Sequence, residues 1–400
     1  MLSHFFGPPL SMPQRQRLAL PVIVLAQWCG TSLWFSINGV AATLVSQVGL
    51  DEAVIGQLTI AVQLGFILGT LLIATTGLAD RFRASQVFLV ASLLGASCNL
   101  AMIMVIDQPH LALALRWLTG FCLAGIYPLG MKLVIGWTPR HTGAALAWLV
   151  GMLTLGTAMP HLVRGMTLSL PWGWTLALTS LLAVGGGLAV RWLGDGPHLP
   201  GTSSGVSLTE GLAAWRSRNF RAAAGGYFGH CWELYAFWLL VPLLVAREID
   251  RLGLGPGWIA WLSFAVIALG MPGSIAAGHF SRRHGRHRMA NLALATSGSL
   301  CLVYPLIGQL PPSLLLALLG LWGFSVVADS AQFSSLASEA APRDRVGATL
   351  AVMNAIGFAL TLPGIWLGSQ LWASLGPSVA WLLLPGPLLG LWAMRGLRRK

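Results

Sequence analysis

The stretch FGHCWELYAFWLLVPLL, Phe228 to Leu244, is apolar enough to sit in lipid yet carries His230 and Glu233 three residues apart. At that spacing two side chains share one face of a helix, so the imidazole could share a proton with the acid or tune it. A second run, GFSVVADSAQFSS from Gly323, adds Asp329 with Ser330 and Gln332 close by. Of the twelve acids, Asp51, Glu52, Asp107, Glu248 and Asp250 fall in loops on one side, and Asp80, Asp195, Glu210, Glu339 and Asp344 fall at or near the other. Only Glu233 and Asp329 lie deep inside apolar segments. An ionised carboxylate at that depth is costly, and desolvation brings its protonated form within reach, which is the physics of a proton-coupling site. Two other readings stay open. His230 and Glu233 could be metal ligands, although two ligands on one turn do not make a site and no further His/Cys cluster accompanies them. Either acid could instead make a structural hydrogen bond between helices.

The elements that would position these groups follow from composition. Of 400 residues, 56% are hydrophobic and 9% charged, against roughly a quarter charged in an ordinary soluble chain. The deficit takes the form of long apolar runs. A bilayer core needs about 20 apolar residues per helix, and the runs give twelve such segments at 18–46, 51–78, 85–106, 110–137, 142–165, 172–193, 219–246, 257–278, 289–308, 312–338, 346–372 and 377–394. The short alternating stretches of a membrane β-barrel are not evident. With a cytoplasmic N-terminus, 19 of the 24 Lys and Arg residues fall in inside segments and three (Arg164, Arg247 and Arg251) in outside loops, with Arg116 and Lys132 inside spans. That bias predicts both termini in the cytoplasm. It also accounts for the net charge of +12 without a nucleic-acid partner. The five cysteines all fall in spans without paired spacing and read as small apolar residues rather than a disulfide or zinc framework. The run after Arg17 is too long for a signal-peptide core and lacks a small-residue cleavage site, so it reads as a retained first helix.

One long polar interruption, GDGPHLPGTSSGVSLTEGLAAWRS at 194–217, separates six segments from six. The chain therefore divides into a tail at 1–17, a helical bundle at 18–193, the linker, a second bundle at 218–395 and a tail at 396–400. TPRHTGAALAWLVGMLTLGTAMP from Thr138 lies over APRDRVGATLAVMNAIGFALTLP from Ala341 with one gap, matching Pro139 and Arg140 to Pro342 and Arg343, Gly143 to Gly347, and Pro160 to Pro363 at an offset of about 203. GLADRFR from Gly77 and GHFSRRHGRHR from Gly278 repeat at nearly the same offset. Two duplicated six-helix halves are a transporter plan, with substrate near the midplane between them.

Over essentially its whole length the chain resembles the major facilitator superfamily. Asp80 and Arg81 fit the family's G-x-x-x-D-R/K-x-G-R-K/R loop, although Thr76 and Arg83 stand at its glycine positions. The second copy offers Arg282, Arg283 and Arg286 around Gly278 and Gly285, with Arg282 where the first pattern has its acid. The resemblance implies that Asp80, Arg81, Arg282, Arg283 and Arg286 hold one access state through charge pairs and helix-end contacts. Arg116 and Gly120 resemble the family's R-x-x-x-G motif in the fourth helix. Gly151, Gly156, Pro160 and Gly165 partly match the Gly/Pro motif of antiporter branches, but Met159 precedes Pro160 and the closing glycine pair is absent.

The resemblance implies an all-α membrane protein of twelve helices in two pseudo-symmetric six-helix bundles. The expected activity is proton-coupled secondary transport of a small organic solute by alternating access, without cofactor or metal, with solute, protons and bilayer as its partners, as a monomer. Proton exchange falls to Glu233, Asp329 and His230. Arg116, if it faces the cavity, would favour an anionic solute by bidentate hydrogen bonding, or it could neutralise an acid. Trp34, Asn38, Gln63, Tyr127, Tyr235, Trp238, Gln332 and Asn354 are the remaining candidates for the solute-binding wall. A proton antiporter exporting hydrophobic compounds, and a non-transporting sensor on the same scaffold, remain alternatives. An enzyme is not indicated, since H-E-x-x-H, nucleophile-elbow and phosphate-loop motifs are not found. Arginine in large excess over lysine, with abundant Ala, Gly and Leu, points to a GC-rich bacterial genome and the inner membrane.

Overall fold

Helices and turns make up a computed structural model that describes residues 12–138, 142–199, 208–342 and 345–397, with no strand among them. In lipid the backbone must satisfy its own hydrogen bonds, and an apolar run does so as a helix. The first helix, α1, runs Met12–Thr31, unwinds over 32–37 and continues irregularly to Leu44–Val48. It is followed by α2 (Glu52–Thr76), α3 (Ala84–Val105), α4 (Pro109–Leu123 and Tyr127–Trp137), α5 (Thr142–Met166) and α6 (Gly173–Leu193). The second half comprises α7 (Arg218–Arg251), α8 (Gly257–Ala268 and Gly270–His284), α9 (Arg286–Leu306), α10 (Pro312–Val326 and Ser330–Ala340), α11 (Val346–Leu375) and α12 (Pro385–Met394).

Ten segments among the described residues are long and apolar enough to cross a membrane, and the last of them, Val346–Met394, is two crossings. The chain reverses at Gly376, whose φ of 50° lies in the region that favours glycine. Beyond it α12 returns antiparallel to α7, with Gly386 against Gly229 and Gly390 against Gly226. With α1 the crossings number twelve, arranged as two six-helix bundles.

The two halves repeat one close packing. A Cβ on Gly120 of α4 would lie 1.9 Å from the Val62 carbonyl oxygen of α2, and a Cβ on Gly323 of α10 would lie 2.0 Å from that of Val266 in α8. Only glycine admits that approach, so the same two helices meet backbone to backbone in both bundles. Both partners then break at matching places, α4 at 124–126 and α10 at 327–329. Pro128, in the first turn of the second piece of α4, supplies no N–H to continue the ladder.

The bundles meet along two seams. In one, α2 faces α11, with Gly56 against Ser369; in the other, α5 faces α8, with Gly165 against Trp261 and Gly151 against Met271. The sequence places the charged end of α7 at residue 246, but the helix runs on to Arg251. Glu248 is therefore a wholly buried helix residue and not part of a loop. Its carboxylate is paired with Arg247 and lies 2.7 Å from Nη1 of Arg251, and both guanidinium groups also donate to the Gly308 carbonyl between α9 and α10.

Candidate functional site

Where the seams converge near mid-helix, seven aromatic rings from five helices pack together. Trp34 and Phe35 come from the unwound part of α1, Phe66 from α2, Tyr127 from α4, Tyr235 and Trp238 from α7, and Phe358 from α11. Trp34 lies 4.5 Å from Phe66 and stacks on Phe358 at 6.1 Å, and Tyr235 is 5.8 Å from Trp34, measured between ring centroids. Trp238 meets Tyr235 at 5.0 Å and Phe35 at 5.8 Å, both edge-on. Because three rings belong to the second bundle and four to the first, the cluster bridges the pair. Gln63 ties it together: the Trp34 indole N–H donates to Oε1 at 2.7 Å, and Nε2 donates to Thr361 of α11 at 3.0 Å. The Trp238 indole N–H is buried and has no acceptor.

The residues expected to form the solute-binding wall are placed as follows. Trp34, Gln63, Tyr235 and Trp238 meet in the cluster, and Tyr127 sits half-buried at its edge, 6.5 Å from Phe66. Asn354 is half-buried one turn before Phe358 on α11. Asn38 is held elsewhere: its amide and the Thr59 hydroxyl of α2 bond each other at 3.1 Å, inside the first bundle. Gln332 is buried on α10, where its backbone N–H donates to the Asp329 carbonyl.

The expected ionisable groups all lie within the second bundle and are wholly buried. His230 does not reach Glu233. Its Nδ1 lies 2.7 Å from Oδ1 of Asp329, at the break of α10, without the alignment of a hydrogen bond, and Tyr227 stacks on the imidazole at 6.1 Å. Glu233 instead takes three neutral donors: Trp322 N–H at 2.7 Å and Cys301 S–H at 3.4 Å on Oε1, and Ser297 O–H at 2.9 Å on Oε2. Two rungs therefore join α7 to α10, His230 to Asp329 and Glu233 to Trp322.

Arg116 differs from the expectation in what it touches. Its guanidinium does not line the aromatic cluster but is spent on the unwound stretch of α1, donating to the carbonyls of Leu33 at 3.1 Å and Trp34 at 2.5 Å and to the Ser36 hydroxyl at 3.2 Å. Unwinding at 32–37 leaves carbonyls without helical partners, and a fully buried cation satisfies them. Ser36 passes the network to Asn99 of α3 at 2.5 Å, whose amide reaches Ser180 of α6 at 3.0 Å.

At the ends bearing the arginine-rich turns, Arg286 pairs with Glu339 across α9 and α10, Arg282 contacts His279 at 3.2 Å, and Arg81 and Arg283 are exposed. The side chain of Asp80, like Arg140 and Arg343, lies outside the described residues. At the start of the linker, Asp195 accepts from the backbone N–H groups of Ala84 and Ser85 and so caps α3. Among the described residues no group of three His, Cys, Asp or Glu side chains could hold a metal. A surface groove of about 530 Å³ is lined by apolar residues of α8 and α10 and includes none of the ionisable groups.

Several participants were not singled out from sequence. Trp322, Ser297 and Cys301 look like ordinary span residues until Glu233 is seen between them, and Phe35, Phe66 and Phe358 look like lipid-facing bulk. His161 of α5 is buried with Nε2 unpartnered. A histidine inside an apolar segment was its only signal.

A family model, Major Facilitator Superfamily, matches residues 23–365. No curated protein matches the chain. Among solved structures, the chain is similar to a bacterial homolog to the human lysosomal transporter Spinster, in an inward-facing and unoccupied conformation. That likeness has a TM-score of 0.63 at 14% identity, over 97% of this chain and 95% of the other.

Proposed function

The chain belongs to the major facilitator superfamily and is a multi-pass secondary transporter, and from that premise we propose that it couples movement of a small organic solute to protons through the second bundle. The observation that carries this reading is the pair of buried rungs from α7 to α10, His230 to Asp329 at the break of α10 and Glu233 to Trp322 before it, on the helix that also carries Tyr235 into the ring cluster. Protonating or deprotonating a buried carboxyl changes whether it can be sealed from water, which links proton occupancy to the packing of the seam. In this reading His230 and Asp329 exchange one proton and Glu233 holds another.

The solute would meet mostly aromatic rings. With the Arg116 donors committed to α1, the cluster offers little to an anion, and the arrangement favours an uncharged or cation-bearing solute with an apolar body. The same feature supports export of hydrophobic compounds by proton antiport as a second reading. The arginine-rich ends are proposed to face the cytoplasm of a bacterial inner membrane. Half-buried Tyr127 and Asn354 lie on that side of the ring cluster.

The test is solute flux into proteoliposomes under an imposed pH gradient, over a panel of neutral, cationic and anionic solutes. A one-proton carrier accumulates solute about tenfold per pH unit. Asp329→Asn should abolish that accumulation while leaving solute exchange without a gradient intact. Accumulation unchanged in Asp329→Asn would refute the coupling assigned to it.

A further inference from the structure

Glu233 is enclosed asymmetrically. Oε1 meets the Trp322 indole N–H at 2.7 Å and the Cys301 thiol at 3.4 Å. An indole N–H can only donate, so Oε1 must remain an acceptor whatever the charge of the carboxyl. A proton on Glu233 therefore belongs on Oε2, and what faces Oε2 is the Ser297 hydroxyl at 2.9 Å.

That hydroxyl has one hydrogen and two acceptors in reach, Oε2 of Glu233 and the Leu294 carbonyl at 3.2 Å one turn back on α9. We propose that Ser297 is the positioning residue that lets Glu233 carry a proton, by reversing the direction of its hydrogen bond. With Glu233 ionised, Ser297 donates to Oε2. When a hydronium ion delivers a proton to Oε2 and leaves as water, the new O–H donates to Oγ of Ser297, whose own hydrogen turns to the Leu294 carbonyl. Release to water runs the same rotation backwards. No covalent bond other than O–H forms or breaks, and the carboxyl keeps three hydrogen bonds in both states. Both Glu233 and Ser297 are fully buried, so exchange with water requires the surrounding helices to part.

The other titratable groups around Glu233 are Cys301 on α9, which touches it, and Asp329 on α10 and His230 on α7 itself, which act on it through space. Among the described residues, Ser297 alone is hydrogen-bonded to Oε2, and its hydroxyl can both donate and accept. The proposal rests on Glu233 binding a proton, so the experiment separates the two claims. Infrared difference spectra of the full chain in liposomes, recorded against pH, follow the C=O band of the protonated carboxylic acid with the proton itself as probe. Glu233→Gln identifies the band by removing it. If no titrating band disappears in Glu233→Gln, the proton role of Glu233 is wrong and the Ser297 proposal falls with it.

Ser297→Ala removes a charge-assisted bond from the ionised form and only a neutral one from the protonated form. The titration midpoint should therefore move to the alkaline side by about one pH unit, a tenfold gain in proton affinity. Ser297→Thr keeps the hydroxyl and should restore the midpoint, which a merely space-filling role would not require. A band that Glu233→Gln removes, with a midpoint unmoved in Ser297→Ala, would overturn the Ser297 proposal while leaving Glu233 as a proton site.

Discussion

In the first bundle the buried charge at bilayer depth is Arg116 on α4; at an offset of 203 the second bundle has Leu319, equally buried. At the helix breaks the assignment inverts. Ile126 sits at the break of α4, close enough that a Cβ on Gly30 of α1 would lie 2.7 Å from its Cγ2, whereas the matching Asp329 meets His230. The α2–α4 and α8–α10 packings are alike to a tenth of an ångström at their tightest point, so the difference is one of side chains on a shared backbone. One half uses a cation that stays charged to hold unwound carbonyls. The other uses carboxyls and an imidazole, which can change charge. Under the proposed coupling, the first bundle serves as the frame and the second as the exchanging part.

The largest way to break that comparison is Arg116→Leu, which installs the residue of the second bundle. It removes three hydrogen bonds, leaves the Trp34 carbonyl unpaired in a buried site and leaves the Leu33 carbonyl to the Ser36 hydroxyl alone, for a destabilisation of about 3–5 kcal/mol. Thermal unfolding of the purified protein in detergent should show it as a marked drop in Tm. Arg116→Lys should not rescue, because a point ammonium cannot span two carbonyls as a planar guanidinium does. A stable Arg116→Leu protein with only its solute preference altered would mean that Arg116 serves the solute after all.

The next test sharpens the other side. Trp322→Phe keeps an aromatic ring against Phe237, 4.7 Å away, and removes the indole donor to Glu233. Loss of one hydrogen bond to a charged group is expected to lower stability by about 1.5–3 kcal/mol. The effect should fall to about 0.5–1.5 kcal/mol in the Glu233→Gln background, measured as a double-mutant cycle, because the amide oxygen still accepts but carries no charge. Additive losses would show that Trp322 acts through packing alone.

The twelve segments and their arrangement were legible because lipid forces every apolar run into a helix, and the two acids stood out because few charges share those runs. Partners were harder to read. Glu233 lies one turn from His230 and was expected to use it, yet its donors are Ser297, Cys301 and Trp322, on helices distant in sequence and of types that carry no signal in an apolar span. Arg116 binds main-chain carbonyls, which every residue possesses. The break at 32–37 that exposes them holds no proline. Glu248 was misplaced because mutual pairing with Arg247 and Arg251 lets a helix continue through four charged residues that otherwise mark its end.

The smallest expected effect concerns the side chain that joins the two bundles. Gln63 links Trp34 of the first bundle to Thr361 of the second. Gln63→Leu leaves the Trp34 N–H without an acceptor, while the Thr361 hydroxyl still donates to the Phe358 carbonyl at 2.7 Å. One neutral hydrogen bond contributes about 0.5–1.5 kcal/mol, so the equilibrium between packed and parted seams should shift roughly two- to tenfold toward parting. Distance distributions between spin labels on α2 and α11 would report that shift, and Thr361→Val should reproduce most of it. If Gln63→Leu and Thr361→Val each leave the distribution unchanged, the ring cluster alone holds the seam, and the amide is a partner of Trp34 within the first bundle rather than a tie between the two.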